Sequence, residues 1–184
     1  AFTATNVTLV NDASVTMTRL QNNSFTGTKT IPGTNTFTIS TIGAIAALTG
    51  VDTYQLSAGA NTITLADTGQ NVTAENHAGG AGLVTINTGT LTSVTGTMTS
   101  AGNDTMKLEL AHTTGVDISA VNMGAVDNVG LATDAKGTMT IAQQNVINSA
   151  AGTGNKVTLT DADTFNANSN VEEYVLFADG GSII

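Results

Sequence analysis

The sequence has no cysteine, no tryptophan, one proline (Pro32) and five basic residues, Arg19 and four lysines. Without cysteine neither a disulfide scaffold nor a thiolate metal site can form. Lys+Arg 5 against Asp+Glu 14 leaves a formal net charge of -9, which opposes binding to a phosphate backbone, so no nucleic-acid partner is expected. No apolar run approaches the roughly 18 residues that a membrane-spanning helix needs, so no membrane span is expected. Aromatic residues are 4% of the chain, too few for a bulky core cluster. The two histidines, His77 and His112, lie in or beside turns near Glu75 and Glu109. With no Gly-x-Ser-x-Gly they assemble neither a nucleophile nor a metal triad, and no enzyme is expected.

What is abundant is threonine, at 35 residues, with 20 glycines and 18 asparagines. Threonine is β-branched and suits a pleated strand. Glycine and asparagine tolerate left-handed backbone and belong in tight turns. Such a chain reads as all-β, with a thin, elongated core built from many small apolar side chains. Missing cysteine fits a cytosolic protein, because small secreted domains often carry disulfides. Few lysines, an acidic balance and much Thr, Asn and Gly favour the other reading, an extracellular bacterial protein. The first residues, Ala1 to Thr5, show no basic and apolar leader pattern. The chain is then mature, a fragment, or exported by a signal elsewhere.

Strand-like alternation recurs at Asn6–Val10, Ser14–Leu20, Thr34–Thr41, Thr53–Ser57, Asn61–Ala66, Gln70–Ala74 and Leu83–Thr88. It continues at Leu91–Thr99, Thr105–Ala111, Val116–Val121, Thr138–Ala142, Lys156–Thr160 and Val171–Phe177. From about Thr49 the chain divides into blocks of about ten residues, each one strand and one turn, such as Asn61-Thr-Ile-Thr-Leu-Ala-Asp-Thr-Gly-Gln70. Two blocks make a coil of about twenty residues, the footprint of a β-solenoid whose coils stack about 4.8 Å apart. A β-sandwich accommodates the same strand spacing. Two-residue hairpin signals are absent outside Asp179-Gly180, which disfavours it. Residues 1–48 are less regular and read as a cap or assembly segment, and 49–184 as the repeat region. Ile42–Leu48 and Gln143–Ser149 are the helix candidates.

Gly-x-Asp recurs at Gly50-Val-Asp52, Gly102-Asn-Asp104 and Gly115-Val-Asp117, and further aspartates sit at other strand edges. Stacked coils would bring such carboxylates together, where a hard cation could offset their repulsion. Asp52, Asp67, Asn103, Asp104, Asp117, Asp161 and Asp163 are therefore candidate calcium ligands. The alternative is that each is a turn residue bonding nearby backbone N–H groups. Gly79-Gly80-Ala81-Gly82 and Gly102-Asn103-Asp104-Thr105-Met106 each match half of the Gly-Gly-x-Gly-x-Asp-x-apolar repeat. Here the chain resembles bacterial RTX-like β-roll repeats of type I secreted adhesins and surface-layer proteins. The resemblance covers about Thr49–Thr164 and implies a β-roll fold, calcium and an extracellular setting.

Thr-x-Thr runs place hydroxyls on one strand face, at Thr16/Thr18, Thr34/Thr36/Thr38, Thr62/Thr64, Thr95/Thr97/Thr99 and Thr138/Thr140. They suit glycan or ice contact, or form simply the solvent side of amphipathic strands. Both chain ends carry apolar strand patterns with little to block edge pairing. Val7, Leu9, Tyr174, Leu176, Phe177, Ile183 and Ile184 are thus candidate assembly residues, with a second copy of the chain as partner. The expected function is an extracellular structural module that self-assembles through strand edges. The alternative is a glycan- or ice-binding module using the threonine faces.

Overall fold

The computed structural model describes residues 6–26, 29–75, 82–102, 104–177 and 182–183. They form a β-solenoid of about 8 turns, built from short parallel strands and two short helices. The first face stacks Ser14–Met17, Thr36–Ile39, Thr53–Leu56, Asn71–Ala74 and Met98–Ser100. The second stacks Gly43–Ala46, Asn61–Thr64, Leu83–Asn87, Thr105–Leu110, Val126–Leu131 and Ile147–Ala150. The third stacks Val116–Asp117, Lys136–Met139, Lys156–Leu159 and Glu173–Val175. Two short pairs, Val7–Thr8 with Lys29–Thr30 and Thr164–Phe165 with Ser182–Ile183, add rungs near the ends. Parallel neighbours need a long return path. The other faces of the coil supply it, and paired residues lie 17 (Thr36↔Thr53) to 26 (Val72↔Met98) positions apart.

Alternation decides which residues face inward. In the first face Phe37, Ile39, Tyr54, Leu56, Val72 and Met98 are buried, while threonines flank them outward. In the second, Ile45, Ile63, Ile86, Leu108, Val129 and Ile147 form one buried column, each paired with the next. Each coil thus lays one small aliphatic side chain on the last, which is how a chain poor in aromatics fills a core. At Gly96 a Cβ would stand 1.9 Å from the Gln70 carbonyl oxygen, so only glycine admits this approach of two coils.

Several elements differ from expectation. Ile42–Leu48 is not helical. Gly43–Ala46 is a strand, because Ile45 fills the buried column and the backbone pairs with Asn61–Thr64. The second expected helix lies earlier, at Ile141–Gln144, and Ile147–Ala150 is a strand. A helix at Arg19–Asn23 ends the expected Ser14–Leu20 strand run. Both helices start with a capping box, Thr18 with Gln21 and Thr140 with Gln143. The first-face ladder passes residue 48 without a break, through Thr36↔Thr53.

Tyr54 joins coils at the first-face core. Its hydroxyl accepts from the Leu48 N–H (2.7 Å) and donates to Asn22 Oδ1 (3.4 Å), and its ring meets Phe37 edge-on at 5.9 Å. Burial holds its phenol well above the ordinary tyrosine range. The unfolded chain releases that proton near pH 10 while the native state keeps it, so stability is intact below about pH 10 and falls as pH rises further. Tyr54→Phe leaves the Leu48 N–H unpaired and should cost about 1–3 kcal/mol at neutral pH. It should also flatten the loss of stability above pH 10, both effects being read from thermal melts across pH.

Candidate functional site

Corners at or near the start of several strands carry the most consistent chemistry of the molecule. There, an Asp, Asn or Glu side chain of one coil accepts a backbone N–H of the coil before it. Asn35 Oδ1 takes the Ala13 N–H at 2.9 Å, and Asp52 Oδ2 takes the Asn35 N–H at 2.8 Å. Asn61 serves Gly43, Asp67 serves Gly50, and Asp104 serves Gly82. Asp127 serves Met106, Asn155 serves Ala135, Asp161 serves Ile141, and Glu172 serves Asn155. Asp12, Asn23 and Asn71 make the same bond in the opposite direction. The charged acceptors make the stronger version of this bond, but Asn and Asp share the task.

Two buried glutamines extend the device. Gln70 Oε1 accepts from the Ala66 and Asp67 N–H groups, and its Nε2 donates to the Leu48 and Val51 carbonyls one coil earlier. Gln143 Nε2 donates likewise to the Ile118 and Val121 carbonyls. Each satisfies backbone groups that the ladders leave over, at a site closed to water.

Each described calcium candidate already holds a hydrogen bond, within its own turn or to a neighbouring coil. Asp52, Asp67 and Asp161 cap neighbouring coils as above. Asp117 closes a turn on the Ser119 N–H and hydroxyl, and Asp163 accepts from the Thr164 N–H. Asn103 lies outside the described residues. Among the described residues no three Asp, Glu or His side chains gather as a metal group. Asp104 differs from the rest: it is 6% exposed, and its Oδ2 has no hydrogen-bond partner. His77 lies outside the described residues, and His112 accepts the Gly115 N–H in its own turn.

The first face presents a second arrangement. In register, Ser14, Thr36, Thr53 and Asn71 form one outward column, and Thr16, Thr38, Gln55, Thr73 and Thr99 another. Thr38 donates to Gln55 at 2.9 Å, and Thr73 and Thr99 hydroxyls lie 2.8 Å apart. No register shift interrupts these columns, whereas the second face has shifts at Met106/Lys107 and Val129/Gly130.

Of the expected assembly residues, Val7, Leu9, Tyr174 and Leu176 pack against the core and are only partly exposed. The Tyr174 hydroxyl binds Gln144 and the Asn168 N–H, and its ring tilts against Phe165 at 5.1 Å. Phe177 and Ile183 are exposed, and Ile184 lies outside the described residues. Sequence reading missed Val10, Leu20, Ile42 and Val175, which are also exposed. Their apolar character is visible in the sequence, but which face each occupies depends on the coil. No protein-family model matches the chain, and no curated protein or solved structure matches it.

The corner reading separates from a metal-ligand reading by substitution. Asp52→Asn keeps the acceptor oxygen and should leave the melting temperature close to the parent. Asp52→Ala deletes it and should cost about 1 kcal/mol. Neither effect should change between calcium and EGTA. A calcium-dependent loss shared by both variants would reassign the residue to a metal site.

Proposed function

We propose that this chain is a non-enzymatic structural module of an extracellular bacterial protein, which adds coils end to end with further copies of itself into a layer, stalk or filament. The observation that carries this reading is the distribution of exposed large apolar side chains. Val10, Leu20 and Ile42 lie in the first coils, and Val175, Phe177 and Ile183 in the last, while Leu83 stands alone between them. Isolated apolar residues on a surface are ordinary, but groups at the two ends of a stack mark where another surface fits.

The polarity of the corners supports a head-to-tail join. Most caps run from a later coil to an earlier one, so the two ends of the stack differ chemically and a join of unlike ends continues the pattern. Head-to-tail contacts whose rotation does not close into a ring generate filaments. The extracellular setting rests on composition, and on the resemblance to RTX-like surface repeats that the Gly-x-Asp corners carry. Calcium belongs to the same reading, and Asp104, with its free buried oxygen, is the described carboxylate best placed to take part.

Blocking one end at a time tests the orientation. Phe177→Asp with Ile183→Asp should disable the C-terminal end, and Val10→Asp with Leu20→Asp the N-terminal end. In sedimentation velocity the parent should form concentration-dependent polymers and each variant alone should stay monomeric. An equimolar mixture should give dimers only, because one live end of each kind remains. A parent chain that stays monomeric at every concentration would overturn the proposal. Dimers of a single variant would replace head-to-tail with a two-fold join.

A further inference from the structure

The outward columns of the first face run along the stack rather than across its ends. Ser14/Thr16, Thr36/Thr38, Thr53/Gln55 and Asn71/Thr73 stand on successive strands, and Thr99 continues one column on Met98–Ser100. Each pair brackets an inward side chain, Val15, Phe37, Tyr54 or Val72, so both members point outward. The result is a two-dimensional array. Its repeat is about 4.8 Å along the stack and about 6.6 Å, two residues, along each strand.

The chemistry of the array is uniform. Every member is a neutral hydrogen-bonding side chain, with no charge and no aromatic ring among them. Threonine hydroxyls both donate and accept. Their β-branched stems have few rotamers, so the lattice is largely set before anything binds and little ordering entropy remains to be lost. Bonds such as Thr73–Thr99 hold hydroxyls in line.

A discrete sugar is bound in a concave site with a few convergent polar groups. The described cavities do not involve these columns. One of about 350 Å³ lies by Val121, Val126 and Gln143, and one of about 160 Å³ by Lys136, Lys156 and Thr158. A periodic array without a pocket matches a ligand that is itself periodic in two dimensions and donates and accepts at every site. We propose that the first face is an ice-binding surface, taking ordered water of an ice plane on its two outward columns of Ser, Thr, Gln and Asn.

The test grows a slowly advancing ice front from a dilute solution of the purified chain and measures the fraction of protein taken into the ice. The parent should be enriched in ice. Thr38→Tyr with Thr73→Tyr, which breaks the array at its centre, should lower that fraction several-fold with an unchanged melting temperature. Thr16→Tyr with Thr99→Tyr, at exposed positions, repeats the test should the central pair disturb folding. Thr62→Tyr, on the second face, should behave as the parent. Exclusion of the parent from ice would overturn the proposal. Equal loss in Thr62→Tyr would overturn it too. So would retention of the parent on powdered cellulose or chitin that the first-face variants abolish, which would assign the face to a crystalline glycan. Sedimentation of the same variants should remain that of the parent, so this result stands apart from end-to-end assembly.

Discussion

The structure depends on one recurring bond, the acceptance of a strand-start N–H by an acidic or amide side chain of the neighbouring coil. Parallel ladders satisfy the backbone within each strand but stop at the corners, where the chain changes face. A buried corner N–H without a partner is costly. Asn35, Asp52, Asn61, Asp104 and Asn155 each remove that cost one coil away. The same bond sets register, because a side chain shifted by one residue would reach neither its N–H nor the inward column. Gln70 and Gln143 do this work for carbonyls.

The abundance of asparagine and aspartate follows from this geometry. Both residue types offer the needed oxygen at the same reach, so they substitute for one another around the stack, as Asn35 and Asp52 do on consecutive coils. The acidic balance of the chain is thus in large part a consequence of corner chemistry. The core works by the same economy of means: the column from Ile45 to Ile147 needs only one branched aliphatic residue per coil. Where the first face gives up its strand, the helix Ile141–Gln144 takes the place, and Gln143 keeps the neighbouring coil satisfied.

Thr53–Leu56 and Asn61–Thr64 were readable as strands because strict alternation and a following turn left one face for the core. Val126–Leu131 was not, because Gly130 and Leu131 are buried next to Val129 and the alternation is lost. The helix at Arg19–Asn23 was hidden inside an apparent strand run, although its Thr18-x-x-Gln21 capping box is written in the residues. At the candidate sites the residue types were legible, since acidic and amide corners stand out beside glycine. Their partners were not, because each bond crosses about one coil of sequence.

Composition and spacing alone determined an all-β chain and favoured a β-solenoid with coils of about twenty residues over a β-sandwich, since short threonine-rich strands alternate with short turns that lack two-residue hairpin signals. Only the tertiary structure decided which hydroxyls align into columns, which aspartates meet backbone rather than one another, and which apolar residues stand exposed at the ends. Those outcomes depend on register between coils of unequal length. A shift of one residue turns every side chain to the other face, and local pattern carries no record of what lies one coil away.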